Sequence, residues 1–414
     1  MTRDGPVGHI GTLRVMAPEP LGTAVAQNRK ARVATAALFL TNGAIFANLL
    51  PRYPEIKEYL QLSNALYGAA VAAFPAGALA AGLTAGALIR RFRSSRVAVA
   101  GTIGIALFVV AAAAAPSPLL FAGALFVAGA CDAVTDVAQN AHALRVQRCY
   151  GRSIINSFHA VWAIGAVAGG MMGAAAIALH VPRVLHLVVA AAVFTAVVLV
   201  GYRFLLPGAD HVDHPAERAS GRYRAGVRVW ALLAALALIA IAGAIIEDAG
   251  SSWATLYLRD SLGAPAAVAA FGYVALAGFM VIGRLIGDRT VDRFGERAVV
   301  SAGGVIAAVG MGTALAFPSV PGTIAGFAAA GFGTATLIPA AMHSADQLAG
   351  LRPGTGLTVM TWLMRIGFLG APLVVGVVAD AAGLRIGLLS VPVAGLLAVA
   401  LAGALQVRGR PSRR

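Results

Sequence analysis

Charge is scarce in this chain. Asp, Glu, Lys and Arg make up 12% of its 414 residues, and acids are the rarer sign, 17 against 32 bases. A soluble globule carries roughly twice that charged fraction, so a water-soluble fold is excluded. Cysteine is almost missing: Cys131 falls in an apolar run and Cys149 in a polar loop. That excludes a disulfide framework and a cysteine-based metal site. There is no G-x-x-x-x-G-K-[ST], no G-x-S-x-G and no H-E-x-x-H. ATP drive, serine hydrolysis and zinc peptidase chemistry therefore have no carrier. No enzymatic activity, cofactor or metal is expected. No secretory signal opens the chain, and residues 1–31 read as a disordered tail.

What is present is apolar. Hydrophobic residues reach 59%, mean hydropathy is +0.81, and there are 49 glycines. Windows of about 20 apolar residues are the mark of transmembrane helices, and small residues let such helices approach closely in lipid. Twelve spans are expected, near 32–50, 64–89, 97–115, 118–142, 153–178, 182–206, 228–257, 266–288, 298–317, 321–345, 355–381 and 384–407. The polar segment 207–227 divides them into six-helix bundles at 32–206 and 228–407, with a short tail at 408–414. The fold class is an all-α membrane protein of two pseudo-symmetric bundles. The net charge of +15 sits in loops between spans, which excludes nucleic acid as the partner.

The stretch Gly283–Arg297, GRLIGDRTVDRFGER, is a burst of charge between two apolar runs. Its arginines mark a cytoplasmic loop. By the same count, 26 of the 32 basic residues fall on one side, Arg52, Lys57, Arg183, Arg259 and Arg385 on the other, and Arg365 inside a helix. Both termini and the central linker are expected in the cytoplasm. The halves also echo each other at an offset near 202: Arg96 with Arg297, Pro116 with Pro318, Gly129 with Gly331. Parallel repeats flanking a midplane site are a known transporter plan.

The string Gly287…Asp292-Arg293-Phe294-Gly295-Glu296-Arg297 resembles the G-x-x-x-D-R-x-G-R-R signature of the major facilitator superfamily, with a gap one residue longer. The first-half counterpart has Arg90 in the aspartate place and Arg93 in the glycine place. The strings Asp136-Val-Ala-Gln-Asn140, Asn156-Ser-Phe-His159-Ala-Val-Trp162 and Glu247-Asp248-Ala-Gly-Ser-Ser-Trp253 resemble a bacterial branch near the fucose permeases. The resemblance implies a cavity lined mainly by helices 1, 4, 7 and 10, a gating loop at Gly287, Asp292, Arg293, Gly295 and Arg297, and a multi-pass protein of the bacterial plasma (inner) membrane.

Ionisable groups within a span cost from about 2.5 kcal/mol upward, so each needs a reason. Asp132, Asp136 and Asn140 recur every four residues on one face of helix 4. A carboxyl group in a low dielectric can take up and release a proton near neutral pH. Asp132 and Asp136 are therefore candidate proton carriers, against the plainer reading of a structural hydrogen-bonding pair. His159 on helix 5 is level with Asp136 and is a candidate partner for it, or simply a packed polar residue. Glu247 and Asp248 are adjacent on helix 7, so at most one is expected to face a cavity. The other would bridge to a charge such as Arg259. Arg365 cannot deprotonate and needs an anion, either on a substrate or among Asp132, Asp136 and Glu247. Proton coupling is assigned to Asp132, Asp136, His159 and Glu247, and substrate contact to Asn42, Asn140, Trp162, Asp248 and Arg365. The expected activity is secondary transport of a small polar solute, sugar-like or an organic acid, with proton symport or antiport, by a monomer in the bilayer. The alternatives are a drug or natural-product efflux pump of the same fold, or a non-transporting membrane sensor.

Overall fold

The structure is a computed structural model and describes residues 21–150, 154–208, 226–348, 351 and 355–405. Among the described residues twelve helices are long and apolar enough to cross a membrane. They are α1 Gln27–Tyr59, α2 Asn64–Gly82, α3 Ser94–Ala114, α4 Pro118–Tyr150, α5 Ile155–Ala178, α6 Arg183–Tyr202, α7 Val227–Ser261, α8 Ala266–Phe294, α9 Glu296–Ala316, α10 Val320–Asp346, α11 Thr355–Ala382 and α12 Leu384–Ala404. The chain is a multi-pass membrane protein. Successive helices alternate direction, so the start of α1 and the end of α12 share a face, called here the termini face. The other is the far face.

Three expectations about boundaries are corrected. Residues 21–31, assigned to the tail, are helical, because the first helix begins at Leu21. Pro20 precedes it, and LGTAVAQNRKA is rich in strong helix formers. The span expected at 64–89 is two pieces, α2 and a short helix Ala85–Phe92. Between them the Thr84 hydroxyl donates to the Ala81 carbonyl and competes with the helix ladder. The charged stretch after α8 is no loop. α8 runs to Phe294, Gly295 turns the chain at φ 83°, and α9 starts at once with Glu296. The rest of the expected tails, and 209–225 of the linker, lie outside the described residues.

The repeat is visible in the packing. In the first half α4 packs on α2 and α3, and α5 on α1; in the second α10 packs on α8 and α9, and α11 on α7. A Cβ at Gly129 would strike the Phe74 carbonyl, and one at Gly331 the Leu276 carbonyl. Arg183 and Arg385 each donate from Nε to a backbone carbonyl, of Ala113 and Leu315, at 2.7 Å. Each of these partners stands 202 residues from its counterpart. The halves meet along α2 with α11 and along α5 with α8, which are themselves symmetry-related pairs.

One repeat position is strained. Gly295 has φ 83° and ψ 156°, and its counterpart Arg93 has φ 75° and ψ 147°. That region suits glycine, and a side chain there costs about 1–3 kcal/mol. Arg93→Gly is expected to stabilise the protein by about 1 kcal/mol once the added freedom of the unfolded glycine is subtracted. A thermal melt of the purified variant checks it; an unchanged or lowered midpoint refutes it.

Candidate functional site

A cavity of about 340 Å³ lies between the halves. Its polar groups include Asn42 of α1, Asp132 of α4, Glu247 and Asp248 of α7, and Arg365 of α11. Its walls include Phe46, Phe74, Trp162 and Tyr273. Phe46 and Phe74 stack with ring centroids 4.1 Å apart. The apolar faces of α1, α2, α5 and α8 thus form a pocket into which a few charged groups project, the usual make-up of a small-molecule site.

The expectation for helices 1, 4, 7 and 10 needs correction. No described residue of α10 lines the cavity, while α2, α5, α8 and α11 all contribute. α7 stands between α10 and the opening: Thr334 Oγ1 of α10 donates to the Gly243 carbonyl of α7 at 3.3 Å. A second correction concerns Glu247 and Asp248. Both line the cavity, although adjacent, because their roughly 100° separation fits within one broad opening. Just beyond them α7 loosens into a π-helical turn, Ala249–Trp253. Such bulges recur at functional sites.

Among the described residues one ion pair borders the cavity. Glu247 Oε2 lies 4.0 Å from Arg284 Nη2 of α8. Arg284 counts by sequence among the bases of the charged loop, yet it sits well inside α8. The groups whose charge bears on Asp132 are Asp136 and Arg365. Arg365 makes no ion pair within 4.0 Å among the described residues; its Nη1 donates to the Ala78 carbonyl of α2 at 3.1 Å, tying the second half to the first. Arg259 does not bridge to Glu247 or Asp248. It pairs with Glu58 of α1 instead.

Asp136 and His159 lie beyond the cavity toward the termini face, and both are exposed. His159 bears on Asp136 electrostatically, and Arg284 bears on His159, so three helices from both halves face one another there. No hydrogen bond joins the histidine to the aspartate; His159 packs edge-on to Phe39 at 5.3 Å. Asn140, expected to touch substrate, gives its amide to Asp136, at 3.0 Å to Oδ1 and 2.8 Å to the carbonyl. It shares the helix face but lies about 12 Å along the axis from Asp132, outside the cavity. Trp162 and Asn42 line the cavity.

The expected gating segment lies at the termini face, away from the cavity. A Cβ at Gly287 would meet Thr336 of α10 at 3.0 Å. Glu296 accepts from Ser344 Oγ at 2.7 Å and lies 3.6 Å from His343 Nε2. Arg293 stacks over the Phe294 ring at 5.4 Å, and Asp292 and Arg297 are exposed.

The cavity is closed on one side. Polar links between the halves cluster on the far face. Asp380 at the end of α11 accepts the backbone N–H groups of Asn64 and Ala65 at the start of α2, at 2.7 and 2.9 Å. Lys57 lies 3.9 Å from Asp260. Deeper in, Tyr67 Oη donates to the Ser252 carbonyl at 2.5 Å and its ring packs edge-on to Trp253. Tyr273 Oη donates to the Ala166 carbonyl at 3.3 Å. Toward the termini face the exposed Asp136, His159 and Arg284 mark an open mouth.

Two repeated six-helix bundles around a largely apolar cavity that holds a few charged groups, tied shut at one face, define a membrane transporter of the alternating-bundle class. The profile of the Major Facilitator Superfamily matches residues 35–291. The chain belongs to that superfamily. It is 29% identical over 351 residues to an uncharacterized transporter, y4wD, of Sinorhizobium fredii, spanning 85% of this chain and 92% of the relative. It is 28% identical over 368 residues to membrane protein MosC of Rhizobium meliloti, spanning 88% and 87%. Among solved structures, a bacterial homologue of the human lysosomal transporter Spinster, inward-facing and occupied, superposes with a TM-score of 0.75 at 14% identity, covering 95% of this chain and 100% of that one. The transporter FucP in its outward conformation gives a TM-score of 0.58 at 21% identity, covering 91% and 98%. At those identities both likenesses carry the fold.

Proposed function

We propose that this chain is a proton-coupled secondary active transporter that moves a small polar solute by alternating access. The observation that carries the reading is the acid-lined cavity between the bundles, tied shut at the far face and open toward the termini face. The halves, 32–206 and 228–407, rock as units about it. Asp132 carries the proton, with Asp136 and His159 leading toward the open mouth and Glu247 held by Arg284. Arg365 balances Asp132 and holds α11 to α2. Asn42, Trp162 and Asp248 touch the solute. Arg293, Gly295 and Arg297, with Gly287 and Asp292, form the gating segment at the α8–α9 junction. The bias of basic residues supports a cytoplasmic termini face, and with it a bacterial plasma membrane location. A monomer suffices, since both halves of the cavity come from one chain.

The test is counterflow in reconstituted vesicles. The solute is a radiolabelled compound that stabilises the purified protein in a panel of sugars, organic acids and drugs. Exchange that accelerates with solute on the opposite side is expected. Binding without exchange would make the protein a sensor and overturn the reading.

A further inference from the structure

The cavity carries an imbalance of charge and an imbalance of hydrogen-bond acceptors, and both point the same way. Glu247 has Arg284 at 4.0 Å, and Asp132 has Arg365 as its basic neighbour. Asp248 has no such partner. It is 8% exposed; Oδ1 accepts from Ser252 Oγ at 2.9 Å, and Oδ2 is buried with no partner at all. The groups that bear on it are Glu247 and Ser252 from its own helix, Tyr53 from α1 and Tyr67 from α2, none of them basic. Asn42 of α1, 4% exposed, likewise has an Oδ1 with no partner. Both residues line the same cavity.

A buried acceptor left unpaired is destabilising, and more so if it is ionised. Asp248 Oδ2 can only accept while its carboxyl group is ionised, so a ligand that relieves it must donate, whereas Asn42 can turn either its oxygen or its amide nitrogen to the ligand. The Tyr53 hydroxyl, also partnerless and on the cavity, can donate or accept and so does not discriminate. The walls favour a cation as well. Aromatic faces such as those of Trp162 and Tyr273 attract positive charge and offer nothing to an anion. An anionic solute would meet three carboxylates, with Arg365 and Arg284 already set against two of them.

We propose that the cavity binds a small organic cation: a protonated amine, its ammonium at Asp248 and a second polar group at Asn42. This rests on the reading of the cavity as the solute site, and it selects against the organic acids that the sequence left open.

The test is a binding measurement on the purified full chain with two matched sets of probes. One is glucosamine, glucose and glucuronate; the other is tyramine, tyrosol and 4-hydroxyphenylacetate. Each set changes charge on a constant scaffold. In at least one set the ammonium member is expected to raise the melting midpoint and to bind at least about tenfold more tightly than the neutral member, with no binding by the carboxylate. Asp248→Asn is expected to cost about tenfold to a hundredfold in affinity for that amine, and Asn42→Ala less. Preference for a carboxylate, or no advantage of the ammonium member in either set, overturns the proposal from the wild-type protein alone, whether or not the variants fold. The outcomes separate it from the transport reading. Amine binding without vesicle exchange sinks transport and spares this site. Exchange of a carboxylate solute does the reverse.

Discussion

Asp132→Asn is expected to abolish pH-gradient-driven accumulation while solute counterflow continues. The carboxyl group lines the cavity at mid-span, and the charges bearing on it are Asp136 from its own helix and Arg365 from the other half. In the alternating access proposed above, this group passes from an open mouth to a sealed interior. An ionised carboxylate in such an interior costs about 2.5–3.5 kcal/mol more than the surroundings favour, even on the mildest scale. That is about two orders of magnitude in the population of the sealed state. Protonation removes the cost, and the proton then crosses with the swing. Asparagine has the same shape and is permanently neutral. It permits the swing but carries no proton, so exchange survives and accumulation falls to background. Vesicles with an imposed pH gradient, and parallel counterflow at equal pH, measure the two. Undiminished accumulation would remove Asp132 from the coupling. Loss of both activities would make it a structural residue.

The sequence and the structure agree most closely where hydropathy decides. Twelve spans follow from apolar windows, and the repeat follows from residues such as Gly129 and Gly331, because close helix crossings tolerate no side chain. The acids within spans, Asp132, Glu247 and Asp248, were legible because charge within a span is rare. Less legible was which helix face turns inward. That depends on rotation about each axis, and nearly uniform apolarity around a membrane helix leaves no stripe to read. By spacing alone Asn140 belongs with Asp132, and the family resemblance puts α10 at the opening. Arg284 had a usable signal. It lies inside the span expected at 266–288, yet its neighbours in the charged stretch drew it into the loop. The aromatic wall had none, since Phe46, Phe74 and Tyr273 are as suited to lipid or core as to a cavity. The latch on the far face was equally hidden. A first-half arginine stands where the family signature has an aspartate at the termini face, and nothing in the spacing announces Asp380 as a helix cap on the opposite side.

Removing that latch should reverse which side of the cavity is open. Two contacts of that closure can each be removed by one substitution. Asp380 gives both carboxylate oxygens to the first N–H groups of α2, where the helix dipole also favours negative charge. Being exposed, it contributes about 1 kcal/mol after solvent screening. Tyr67 is fully buried, and its hydroxyl satisfies a Ser252 carbonyl in the π-helical turn of α7. Tyr67→Phe leaves that acceptor buried and unpaired, at about 1–3 kcal/mol. Both costs fall on the far-face-closed state, because both contacts join the two halves across that face. The sites share no partner, so the effects should add. The double variant Asp380→Ala/Tyr67→Phe is thus expected to shift the equilibrium by about 2–4 kcal/mol, a factor of about thirty to several hundred, toward the far-face-open form. Spin labels at Gln61→Cys and Ser261→Cys, both exposed and in opposite halves, report the change once Cys131 and Cys149 are replaced by alanine. A longer distance should become the main population in the double variant and stay minor in the parent. If the distance distribution does not move, these contacts hold a rigid seam, and the swing must occur elsewhere in the molecule.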